Sequence, residues 1–338
     1  MRLDDIDYSL PPDLIAQRPV EPRDSARLLV DLGARGAAHQ HVADLVNHLE
    51  AGDVLVVNHT KVMHARLHLQ RESGGRVEVL MLRERKDTGV WEALVRPGGK
   101  LREGEVLTHQ SGGGVVRMVG RSLDGDTFLV EPLVADVFAT MREIGEAPLP
   151  PYITEKLSDA SRYQTVYSHE ERSAAAPTAG LHFTPDLLNA LREKGVRIEE
   201  VELVVGLDTF KPVTVDDPLD HVIHTERYRV PKEILEACAD ARRRRKRVVA
   251  VGTTAARALE SAATTGTFEG DTNLFIYPGY EWKLVDRLMT NFHMPRTTLL
   301  LMISSFVGPR WRELYAEAIR QKYRFLSFGD AMLLDRHA

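Results

Sequence analysis

Residues 174–184, AAAPTAGLHFT, are nearly free of charge in a chain that is 28% charged, yet they keep Thr178, Gly180, His182 and Thr184. An imidazole takes and gives a proton near neutrality, and a glycine lets backbone approach closely. Residues 248–260, VVAVGTTAARALE, read as a strand, a tight Gly-Thr-Thr turn and a helix. Such a turn aims free backbone N–H groups, at the positive end of a helix dipole, toward a carboxylate or phosphate. Thr253 or Thr254 would also cap that helix. In HVIHTE, residues 221–226, His221, His224 and Glu226 resemble metal ligands, although no further ligand stands at a familiar spacing. His221 and His224 share a face on a helix and lie on opposite faces of a strand.

The run RRRRKR, residues 242–247, is six consecutive cations. It is either a solvated helix end that complements the dipole or a contact to a phosphate backbone. TNFHMPRTTLLLMISSF, residues 290–306, sets Asn291, His293 and Arg296 just before an apolar helix. YRFLSFGDAMLL, residues 323–334, puts Tyr323, Phe325 and Phe328 close to Arg324 and Asp330. Aromatics interleaved with charges stack a base or form a packed strand with equal ease. There is no G-x-G-x-x-G after a strand, no Walker A sequence, no G-x-S-x-G and no H-E-x-x-H.

The elements that must position these groups fall into two styles. HVADLVNHLEAG reads as a helix from residue 41, followed by the buried strand DVLVVN. Between residues 66 and 135 the segments RVEVLML, VWEALVRP, VVRMVG and TFLVEPL alternate with glycine-rich turns. That spacing predicts a small antiparallel barrel or sandwich. APLPPYI, residues 147–153, is stiff and marks a boundary. Beyond it helix and strand alternate: PDLLNALREKG, VRIEEVELVVG, PKEILEACADARRRRKR, VVAVG and AARALESAA. The expectation is a discontinuous α/β domain with parallel strands, residues 1–65 and 149–338, into which residues 66–148 are inserted as a β-barrel domain.

The 338 residues suffice for one large core or two domains. A formal net charge of -5 advertises no nucleic-acid partner, though a local basic patch is compatible with it. Cys238 is the only cysteine, so no intrachain disulfide can form, which suits a reducing compartment. Acids occupy the N-terminal stretch where a signal peptide is apolar, and TLLLMISSFVG is too short to span a bilayer. The expectation is a cytoplasmic protein with no membrane partner.

These stretches, in order, are similar to a known family. LIAQRPVEPRDSARLLV, SGGRVEVL, PLPPYI, RYQTVYS, AAPTAGLHFT, VGTTAARALES, FIYPGY, TNFHMPRTTLLLMISSF and YRFLSFGDAML together resemble the S-adenosylmethionine:tRNA ribosyltransferase-isomerases of queuosine biosynthesis. The likeness covers nearly the whole chain. His59, Lys61, His64, Val204 and Asp208 stand where that family usually carries other residues.

The resemblance implies a barrel-like α/β domain carrying a β-barrel insertion, a monomer and no metal. It implies that S-adenosylmethionine is consumed as a ribosyl donor. The acceptor is the aminomethyl group of a 7-deazaguanine base at the tRNA wobble position. Adenine and methionine leave, and the product is epoxyqueuosine. That chemistry needs a base beside the sulfonium carbon, a proton donor for adenine and a neutral attacking amine, with water held off. His182 is the expected acid–base residue, with Asp330 as a second catalytic candidate. Thr178 and Gly180 would line the nucleoside pocket. Thr253, Thr254 and Arg257 would take the methionine carboxylate, and Asn291 and His293 the nucleoside or target base. Tyr323 and Phe325 would stack. Arg66, Arg324, Arg243, Arg244, Arg245 and Lys246 would meet tRNA. The alternatives are a tRNA-binding protein without catalysis, a metal-dependent hydrolase built on His221, His224 and Glu226, and an ordinary methyltransferase.

Overall fold

The computed structural model describes residues 2–85, 88–99, 101–122, 127–157, 159–206, 215–221, 223 and 225–336. Asp208 and His224 lie outside the described residues. The chain divides into two compact units. One comprises residues 1–60, 151–170 and 176–338, and the other residues 61–150 and 171–175.

The larger unit is built on a nine-stranded mixed sheet. Its strand order is Glu269–Thr272, Glu226–Arg229, Arg197–Leu203, Val54–Asn58, Val248–Val251, Arg287–Asn291, Ala331–Asp335, Arg27–Asp31 and Ala37–His41. Four neighbours, Arg197–Leu203 through Arg287–Asn291, run parallel. Val54–Asn58 and Val248–Val251 are buried at every position. This is why they read as unbroken apolar runs and not as alternation. Leu55, Val57, Val249, Val251 and Met289 share one core cluster with Phe183, Leu187 and Leu191.

Two expectations change. The sheet is mixed where parallel strands were expected. Ala331–Asp335 pairs antiparallel with Arg287–Asn291, because the two helices between them, Thr298–Val307 and Trp311–Arg320, return the chain to the end of the sheet it left. The expected helix after residue 41 is a 3-10 helix, Val42–Asn47. Val42, Leu45 and Leu49 are still buried, since a repeat of about three residues serves the tighter turn as well.

The smaller unit is a closed antiparallel barrel of six strands. Arg66–Gln70, Arg76–Glu84, Trp91–Arg96, Phe128–Pro132, Gly114–Arg121 and Val106–Thr108 follow one another, and Gln70 pairs with Thr108 to close the ring. Closure leaves none of these six strands as a free edge. No helix among the described residues is long and apolar enough to cross a membrane.

Candidate active site

A cleft opens in the larger unit at the carboxyl ends of the parallel strands. That end of the sheet is the place where open α/β sheets bind ligands. Val205 follows the strand Arg197–Leu203, Gly252–Thr254 follow Val248–Val251, and Phe292 and His293 follow Arg287–Asn291. The 3-10 helix Thr178–His182 packs against the last of these strands and supplies Thr178. Of the expected site residues, Thr178, Thr253, Thr254, Asn291 and His293 line the cleft together.

The turn after Val251 is made by Gly252 at φ +86°, a backbone that side chains rarely adopt. The helix Gly252–Thr265 then begins with no side-chain cap among the described residues. The capping role expected of Thr253 or Thr254 is therefore absent. The uncapped end suits an anion. The Thr254 hydroxyl is buried at the cleft without a hydrogen-bond partner among the described residues. Thr253 and Thr254 also border an adjoining hollow that holds Arg257 and Glu226. Arg257 Nη1 meets Glu226 Oε2 at 2.5 Å, with both side chains buried. The guanidinium also donates to the carbonyls of Leu274 and Thr272. Burial lowers the Arg257 pKa while Glu226 opposes the shift.

Both histidines near the cleft are neutral at pH 7. Burial pushes His293 down to about 3, and its ring contacts the Thr290 hydroxyl at 3.0 Å. Its backbone is clamped by two tyrosines. The amide donates to Tyr315 Oη, and Tyr8 donates to the carbonyl. Burial, with help from Arg324 and Arg23, pushes His182 down to about 4. His182 stands behind Asn291, with its Nε2 3.1 Å from Asn291 Nδ2. Gly180 is required by its own neighbours, since a Cβ there would overlap the Tyr167 hydroxyl.

The stretch 323–330 reaches the cleft through residues other than those expected. Leu326, at φ +69°, and Ser327 line it. Tyr323 and Phe325 are fully buried. Tyr323 bonds His39 at 2.8 Å beneath the Arg27 guanidinium, and Phe325 packs against Phe292 and Tyr315. Their faces are occupied by the core. Asp330 accepts from the backbone amides of Arg27 and Arg324 and forms a 3.2 Å ion pair with the Arg27 side chain. Arg324 donates to the Arg18 carbonyl.

The basic run lies at the other end of the sheet. It spans the end of the helix Lys232–Arg243 and the residues before Val248, whereas the cleft begins after Val251. Arg243 and Arg244 pair with Asp240, and Lys246 with Glu50. Arg245, at φ +59°, borders a separate hollow with Arg242 and Arg247. Arg66, in the barrel, lies 3.7 Å from Glu78. His221 borders the Arg257 hollow and Glu226 is engaged by Arg257, while His224 is not described. Among the described residues no group of three or more His, Cys, Asp or Glu is placed to hold a metal.

Tyr152, Thr290, Leu326 and Ser327 were not expected in the cleft. Tyr152 Oη bonds Ser327 Oγ at 2.7 Å. All four lie in stretches singled out above, but PLPPYI reads as a stiff connector, and a leucine with positive φ leaves no mark in sequence.

The chain matches a family model described as queuosine biosynthesis protein over residues 3–334. It is 50% identical over 336 residues to an S-adenosylmethionine:tRNA ribosyltransferase-isomerase from Rubrobacter xylanophilus, covering 99% of this chain and 98% of that one. It is 49% identical over 343 residues to the protein of the same name from Moorella thermoacetica, covering 99% and 100%. A solved S-adenosylmethionine tRNA ribosyltransferase from Thermotoga maritima superposes with a TM-score of 0.56 at 38% identity, covering 97% of this chain and 99% of that one.

Proposed function

The chain belongs to the queuosine biosynthesis protein family, and from that membership we propose that it is an S-adenosylmethionine-dependent tRNA ribosyltransferase-isomerase. It moves the ribosyl portion of S-adenosylmethionine onto the 7-aminomethyl-7-deazaguanine base at the tRNA wobble position and isomerises it to epoxyqueuosine, releasing adenine and methionine. It acts in the cytoplasm, as a monomer and without a metal.

The observation that carries this reading is convergence. AAPTAGLHFT, VGTTAARALES and TNFHMPRTTL, far apart in sequence, meet around one cleft. The uncapped helix start at Thr253 and Thr254 receives the methionine carboxylate. Thr178 and Asn291 contact the nucleoside. His293 is the imidazole on the cleft wall; burial disfavours its protonated form, so its neutral ring serves as a hydrogen-bonding contact to the nucleoside or target base. Tyr323, Phe325, Arg324 and Asp330 hold the wall from behind. Leu326, Phe292, Met294 and Leu299 make the cleft apolar enough to keep water from the rearranging sugar.

The test is to mix the protein with S-adenosylmethionine and tRNA carrying the aminomethyl-deazaguanine base and to assay free adenine and methionine, with unmodified tRNA as control. Release with the modified tRNA alone is expected. tRNA binding without release would favour the non-catalytic reading, and S-adenosylhomocysteine in place of adenine would indicate methyl transfer.

A further inference from the structure

Three groups fix the orientation of Asn291. Its Nδ2 donates to the Leu326 backbone carbonyl at 3.1 Å, and a carbonyl only accepts, so the amide nitrogen must face that way. The remaining Nδ2 hydrogen points to His182 Nε2 at 3.1 Å. Oδ1 accepts from Thr178 Oγ1 at 3.3 Å. The middle bond exists only if Nε2 carries a lone pair. His182 is then the neutral tautomer with its proton on Nδ1, and the lowered pKa agrees. A proton on Nε2 would set N–H against N–H.

We propose that His182 is a positioning residue: its Nε2 locks the Asn291 amide so that the Asn291 oxygen and the Thr178 hydroxyl oxygen face the cleft as paired acceptors for a nucleobase amino group. Thr178 spends its proton on Asn291, so its lone pairs remain for a ligand, and Asn291 Oδ1 keeps a second lone pair. A wall of acceptors reads a donor. Without the Nε2 acceptor only the Leu326 carbonyl opposes turnover of the amide, which would then read an acceptor instead, so the second bond to His182 sharpens specificity. The lock rests on the hydrogen bonds alone, and the nucleobase occupant rests on the function proposed above. The amino group belongs either to the adenine of the ribosyl donor or to the deazaguanine.

Two substitutions separate positioning from proton transfer. His182→Leu removes the acceptor and leaves a buried donor unpaired, a loss of about 5- to 150-fold in adenine release. His182→Gln returns an acceptor oxygen near the Nε2 position but no titrating ring, and release recovers to within about fivefold of the parent, inside the range of one modest hydrogen bond. The double variant His182→Leu with Asn291→Ala is no worse than Asn291→Ala alone, because both act through one contact. If His182→Gln falls as far as His182→Leu while circular dichroism shows both folded, or if the two effects simply multiply, His182 does its own chemistry and the proposal fails.

Nitrogen NMR of histidine-labelled protein at pH 7 tests the lock without turnover or substitution. A ring protonated on Nδ1 alone is expected; a ring protonated on Nε2 overturns the proposal. A protein that releases no adenine but shows the Nδ1 tautomer refutes the function above and keeps the lock. Calorimetry identifies the occupant. Adenosine is compared with purine riboside, and 7-aminomethyl-7-deazaguanine with its 2-deamino form. The parent should favour the amino-bearing member of one pair by about tenfold, the value of one good hydrogen bond, and His182→Leu should lose that preference. No preference in either pair overturns the acceptor pair.

Discussion

Two buried imidazoles give the protein a defined response to acid. His182 and His293 have folded pKa values of about 4 and about 3, below their ordinary 6.5. As pH falls, the unfolded chain therefore takes up protons before the folded one. Their contribution to stability is complete above pH 6.5 and is lost between 6.5 and those folded values. Stability in urea should fall by about 1.4 kcal/mol per pH unit for each histidine across that window. His182→Gln should remove about half of the slope that these two histidines contribute, to which His48 and His59, also held low by burial, add their own. The Arg257–Glu226 pair makes a second prediction. Arg257→Ala strands a buried carboxylate and should cost about 3–5 kcal/mol in urea denaturation. Replacing both residues with leucine should recover most of that loss. If Arg257→Ala leaves stability intact and only raises the S-adenosylmethionine requirement, the guanidinium serves the ligand and not Glu226.

The stretch 323–330 works as one element with the N-terminal segment. Asp330 joins Arg27 to the Arg324 amide, Phe325 pairs with Ile15, and Arg23 donates to the carbonyls of Gln164 and Leu181. The arginines of LIAQRPVEPRDSARLLV thus tie together the pieces that wall the cleft. Asp330→Asn should cost about 1.5–3 kcal/mol, the value of hydrogen bonds to a charged group. It should also raise the apparent requirement for S-adenosylmethionine, because Leu326 and Ser327 lose their fixed place. A large fall in turnover at saturating substrate with unchanged stability would instead give Asp330 a part in proton transfer.

For the whole molecule, the net charge of -5 forces tRNA affinity to depend on where cations sit. RRRRKR is the densest run, yet it lies at the end of the sheet away from the cleft, with three of its cations paired to Asp240 and Glu50. Replacing Arg243, Arg244 and Lys246 with glutamine should leave both tRNA affinity and its salt dependence unchanged. A slope reduced by about 0.7–0.9 per removed cation would make the run a phosphate contact.

Sequence by itself determined the two architectural styles, since glycine-punctuated alternation and helix–strand alternation follow from local burial patterns. It also determined the segments that meet at the cleft, because a strand followed directly by Gly-Thr-Thr or by Asn-Phe-His must place those residues at the strand's carboxyl end. Tertiary structure decided the rest. The pairing of the strands Val106–Thr108 and Arg66–Gln70, which closes the barrel, is long-range and leaves no local mark in the sequence. Tyr323 and Phe325 read as stacking rings, but aromatic type does not say which face is already taken by Arg27 or Phe292. His182 reads as an acid–base residue by type, and only its contact with Asn291, 109 residues away, turns it into a group that holds another. Local pattern fixes which elements form and what their ends carry. Which side chain faces the cleft depends on packing between elements distant in sequence, which no local window contains.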